Sequence, residues 1–143
     1  MFKKLFGYIQ KGENKKKEKI AMTAPVLVSV TEKNEETSHA NMGFFIPAAE
    51  ASSAPAPTKD DVSIVKMAPM CVYVMSYGGW QMSLNEKFRG KVDTLKNTLK
   101  KAGIKDLDES AGPMFAGYDS PWRLLNRHNE VMLLKKSPQV QEN

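Results

Sequence analysis

Apolar residues at Phe2, Leu5, Phe6 and Ile9 recur every three to four positions, so the chain opens in an amphipathic helix. Nothing ahead of it can act as an N-cap, which points to structure upstream of Met1. Gly12 and Asn14 end this helix, and a lysine-rich loop leads into a strand over Ile20–Val30. There Val26, Val28 and Val30 alternate with Leu27 and Ser29, the period of a half-buried strand. Pro25 inside it implies a bulge or an unpaired edge position, because proline has no N–H to give to a ladder. The polar run Thr31–Asn41 reads as a hairpin loop, and Met42–Pro47 as a short strand. Ala48–Lys59, with Pro55 and Pro57, reads as an extended surface connection. Two further strands are expected at Val62–Met67 and Met70–Tyr77, the second closing on Gly78-Gly79.

The strongest periodic signal is a helix over Leu84–Lys101. Ser83 and Glu86 form a capping box at its start, and Gly103 stops it. Leu84, Phe88, Val92, Leu95 and Leu99 make one apolar stripe, with lysines on the other face and Gly90 as a weak point. Strands at Pro113–Tyr118 and Glu130–Lys135, joined by a turn around Asp119–Arg127, complete the pattern. Alternation in the last strand puts His128, Glu130, Met132 and Leu134 on one face and Asn129, Val131, Leu133 and Lys135 on the other. Helix, strands, helix, strands predicts an α+β fold of two similar halves with pseudo-twofold symmetry, in one domain spanning residues 1–143.

The chemistry expected of these residues is binding rather than catalysis. The chain has two histidines and one cysteine, without the spacing of a zinc site or of a nucleophile and its base. His39 falls in a polar stretch, Cys71 in an apolar strand, and neither a phosphate-binding glycine loop nor HExxH occurs. The net charge of +5 is spread over Lys11–Lys19 and Lys87–Lys101, where acids are interleaved and aromatic stacking platforms are missing. That distribution argues against a nucleic-acid partner. The lone cysteine fits a reducing, cytoplasmic compartment, and no apolar run is long enough to span a bilayer. Nine methionines in 143 residues is a high count. Met22, Met42, Met67, Met70, Met75, Met114 and Met132 lie in or beside expected strands, and together point to a deformable apolar cleft between helix and sheet.

Phe6-Gly7-Tyr8-Ile9-Gln10-Lys11-Gly12-Glu13-Asn14 followed by Lys19-Ile20-Ala21-Met22-Thr23-Ala24-Pro25-Val26 resembles the signature of the SOUL heme-binding protein family. Matches continue in order through Phe45-Ile46-Pro47, Val72-Tyr73-Val74, Ser76-Tyr77-Gly78-Gly79-Trp80, Ala116-Gly117-Tyr118-Asp119-Ser120-Pro121, Leu124-Leu125-Asn126-Arg127 and Asn129-Glu130-Val131.

The resemblance implies a distorted β-barrel flanked by two helices, here lacking the N-terminal strands of the family and so an N-terminally shortened domain. It implies non-enzymatic, non-covalent binding of heme or another tetrapyrrole in an apolar groove beside the first helix, as carrier or buffer. Carried over by position, Leu5, Ile9, Ile20 and Met22 are the expected apolar contacts, and Lys135 the basic partner of a propionate. An axial histidine proposed for some members would fall in the missing segment, so strong axial ligation is not expected. Met132 stands where an aromatic residue is usual. Exposed strand edges in a shortened barrel would favour a homodimer. The alternative is a protein-interaction module of the cell-death-regulator type, which would use the amphipathic helix ending at Lys101.

Overall fold

The computed structural model describes residues 1–34, 37–80, 86–120 and 122–136. Two helices and five strands follow in the order α1 (Phe2–Gln10), β1 (Val26–Asn34), β2 (Thr37–Phe44), β3 (Val72–Tyr77), α2 (Glu86–Lys101), β4 (Met114–Gly117) and β5 (Asn129–Leu134). The strands form one antiparallel sheet in the order β2-β1-β4-β5-β3. The α+β class read from the sequence is correct. Among the described residues the sheet does not close on itself, with β2 and β3 as its outer strands, so the expected barrel is borne out only in part.

Alternation sorts the two sheet faces. Val28, Phe115, Val131 and Met75 sit opposite one another in adjacent strands and therefore share a face. On that face Val131 and Leu133 meet Phe88, Val92 and Leu95 of α2, all nearly fully buried, with Leu99 and Phe115 packed at the margin. The expected stripe of α2 is thus its packing face. Gly103, at φ +74°, ends the helix, and the Ile104 N–H reaches back to the Leu99 carbonyl at 3.0 Å. The capping residue Ser83 and the expected start at Leu84 lie outside the described residues.

A second, smaller cluster holds α1. Tyr8, Ile9, Ile20 and Val62 are buried together, with Leu5, Phe44 and Ile46 against them. Gly12 takes the left-handed conformation expected of a helix stop, at φ +67°. Asn14, 1% exposed, fixes the turn: its amide donates to the carbonyls of Tyr8 (3.0 Å) and Glu18 (2.7 Å), and its Oδ1 accepts from the Glu18 N–H. The Tyr8 hydroxyl donates to the Pro55 carbonyl at 2.7 Å, tying the proline-rich connection to the helix.

Three strand expectations need correction. Thr31–Asn41 is no loop: β1 runs on to Asn34 and β2 starts at Thr37, with Thr31 paired to His39. Backbone hydrogen bonds carry this part of the ladder, so apolar alternation does not reveal it. Ile20–Pro25 is not strand; Ile20 turns into the α1 cluster and pairing starts only after Pro25. Val62–Met67 is not strand either. Val62 plugs the α1 cluster while Val65 stands 73% exposed, so β-branched composition alone finds no partner ladder there.

Candidate functional site

The sheet face opposite α2 carries the candidate site. Leu27 of β1, Met114 of β4, Met132 of β5 and Val72 of β3 all project from it, because each neighbours a residue that faces α2. Met114 and Met132 are direct ladder partners. Met67, Ala68 and Met70, from the irregular segment before β3, lie over these side chains, and Pro25 and Phe45 close one end. Together they enclose an open hollow of about 280 Å³ whose lining is entirely apolar. The Thr23 hydroxyl donates to the Phe45 carbonyl and fixes that end.

Four of the methionines singled out in the sequence therefore converge on one hollow. It is lined by the 67–70 segment and the sheet face away from α2, whereas the sequence pointed to a cleft between helix and sheet and the resemblance to a groove beside the first helix. Leu27 and Phe45 were missed as candidates, although Leu27 alternates with Val26 and Val28 and so had to face away from α2.

The named contact residues fall in three places. Leu5, Ile9 and Ile20 come together in the α1 cluster, where Ile9 and Ile20 are 4% and 2% exposed. Met22 is apart from them and 44% exposed, three residues ahead of Pro25. Lys135 is elsewhere again. Its N–H donates to the Cys71 carbonyl at 2.9 Å, and its side chain lies on the α2 face, paired with Asp106 at 3.1 Å and 6.0 Å from the centre of the Tyr73 ring. Asp106 raises the Lys135 pKa, while the Tyr73 hydroxyl, donating to Asp106, holds that carboxyl below its ordinary range. This cation already has an anionic partner within the fold.

Chemically, the hollow offers thioether sulfur and aliphatic surface. A flat apolar ligand fits this lining, since methionine adapts to aromatic faces. An iron centre would find thioethers among the lining residues and no imidazole. At about 280 Å³ the space is just below the range of ligand pockets, roughly 300–1,000 Å³. Among the described residues no group of three or more His, Cys, Asp or Glu side chains could hold a metal ion. No helix among them is long and apolar enough to cross a membrane. The α2 stripe that an interaction module would use is covered by the protein's own sheet.

Residues 1–134 match the sequence profile of the SOUL heme-binding protein family. The chain is 38% identical over 144 aligned residues to a Mus musculus protein named Heme-binding protein 2, covering 99% of this chain and 68% of that protein. A Homo sapiens protein of the same name matches at the same identity and coverage. A Bos taurus protein named Heme-binding protein 1 is 27% identical over 128 residues, covering 88% of this chain and 64% of its own length.

Proposed function

This chain belongs to the SOUL heme-binding protein family, and from that membership we propose that it binds heme or another tetrapyrrole non-covalently, without turnover, as a carrier or buffer. The observation that supports this reading is the wholly apolar, methionine-lined hollow on the sheet face away from α2. Covering about 400 Å² of porphyrin at about 25 cal/mol per Å² contributes roughly 10 kcal/mol gross. Association costs remove much of this, leaving an affinity that does not depend on iron coordination.

Of the residues expected from the family, Met22 acts at the rim ahead of Pro25. Leu5, Ile9 and Ile20 act from behind, through the packing that holds Phe44 and so sets its neighbour Phe45. Lys135 anchors the strand end from which Met70 and Val72 reach the lining. Lys66, directly before Met67 and without an ion pair among the described residues, is the cation for a propionate. The outer strands β2 and β3, each paired on one side, are where a second copy would add to the sheet. An exposed lone thiol, Cys71, suits a reducing compartment such as the cytoplasm.

Parallel titration with heme and with iron-free protoporphyrin tests the reading, following the Soret band and tryptophan fluorescence. Both ligands bind if apolar burial drives association. Binding of heme alone would assign the affinity to the iron and discard this mechanism.

A further inference from the structure

The segment between β4 and β5 carries three strongly uncovered apolar side chains. Trp122 is 90% exposed, Leu124 70% and Leu125 79%, close together in sequence on one loop. Their exposure does not come from a slack chain. Arg127 donates to the carbonyls of Ser120 (2.8 Å), Arg123 (2.7 Å) and Asp119 (3.2 Å), and its guanidinium stacks 4.4 Å from the Trp80 ring centre. Asp119 accepts the His128 N–H and pairs with Arg123 at 2.9 Å, and Ser120 accepts the N–H groups of Trp122 and Arg123. The loop is a braced tip that holds its greasy side chains in solvent.

The charge around this tip is sorted by depth. The acids are withdrawn, with the side chains of Asp119 and Glu130 only 8% and 15% exposed, while Arg123, the cation paired with Asp119, is 55% exposed. Beside the tip, Lys87 donates to the Trp80 carbonyl at 3.0 Å, and Lys91 lies 5.5 Å over the Tyr77 ring. Along the opening turns of α2, Lys87, Arg89 and Lys91 outnumber Glu86 and Asp93. Solvent therefore meets an apolar point within a cationic collar.

We propose that this loop docks the protein onto an anionic lipid surface, with Trp122, Leu124 and Leu125 entering the boundary between headgroups and acyl chains and Arg123, Lys87 and Lys91 meeting the lipid phosphates. Tryptophan favours that boundary, and basic residues near it add attraction to anionic headgroups. One tip with a few apolar side chains gives reversible attachment rather than anchoring. Exposed apolar side chains bordered by exposed cations match the paired apolar and anionic character of a lipid surface, which favours it over a protein partner. The proposal does not depend on the tetrapyrrole reading.

The full chain is tested by flotation with vesicles of phosphatidylcholine alone and of phosphatidylcholine with phosphatidylserine. Binding is expected to the anionic vesicles, weakened by salt. Replacing Leu124 and Leu125 together by Ser should lower partitioning about tenfold with the thermal melt unchanged, since both side chains stand in solvent. Trp122→Phe should retain much of the binding and lose the vesicle-induced blue shift in fluorescence. Failure to bind anionic vesicles overturns the proposal, as does equal binding by the double-serine variant. A dimer in sedimentation equilibrium that depends on Trp122, combined with no vesicle binding, would assign the tip to a second copy of the chain instead.

Discussion

Met114 and Met132 face each other across the β4–β5 ladder, and both side chains line the same hollow. A ladder pair of thioethers gives the floor of the site a surface that is apolar yet able to shift, which a pair of β-branched residues would not. Replacing Met132 by Glu puts a charge on that floor. Porphyrin affinity should fall more than tenfold in a Soret titration, while Met132→Leu, which conserves volume and apolarity, stays within about threefold of the parent. Equal affinity in the Glu variant would remove the hollow as the binding site.

Asn14 joins the end of α1 to the loop that follows. Its amide satisfies two backbone carbonyls and one N–H inside a site that is almost closed to water. Asn14→Ala leaves those groups buried and unpaired, so urea unfolding should show a loss of about 1–3 kcal/mol. Asn14→Asp, which keeps Oδ1 but loses the two amide donors, should recover little of it.

Asp119 braces the 118–128 loop as a carboxylate. The His128 N–H, followed by the nearby Arg123 and Arg127 charges, holds its pKa below the ordinary 3.8. A depressed folded-state pKa means that its stabilising contribution is present above pH 3.8 and is lost as pH falls through the lower folded value. Thermal melts taken as pH falls below about 3.8 should therefore show an acid-dependent decline, and Asp119→Asn should flatten it. An unchanged acid slope in that variant would show that other carboxyls carry the decline.

Tyr77 behaves in the opposite sense. Burial against the α2 core pushes its hydroxyl up to about 12 from the ordinary 10.0. A raised folded-state pKa makes its contribution complete below pH 10.0 and progressively lost as pH rises towards about 12. Ultraviolet titration of tyrosinate should show a late component that Tyr77→Phe removes.

Parts of the fold with their own local signal were legible in the sequence. The period of Phe88, Val92, Leu95 and Leu99 gave α2 and its packing face, and Gly103 gave its end. Alternation in β5 separated Asn129, Val131 and Leu133, which are buried, from Glu130, Met132 and Leu134, which are half-buried. What could not be read was the part settled by partners distant in sequence. β1 and β2 continue through polar residues because each supplies the other's backbone ladder, and the open sheet is a matter of which edges meet. The site was half visible. Seven methionines drew attention to an apolar cleft, and four of them line the hollow. Which face they occupy, and the part played by Leu27 and Phe45, depended on a segment, 67–70, that has no periodicity of its own.

The described residues form two separate apolar clusters: a larger one beneath α2, and a smaller one around Tyr8, Ile9, Ile20 and Val62. Cooperative units of that kind open at different free energies. Amides of α1, held by the lesser cluster and a few hydrogen bonds, should exchange with deuterated solvent well before those of β5. The first helix can then loosen and reseat while the central strands remain protected, so the motion next to Phe44 is uncoupled from global unfolding.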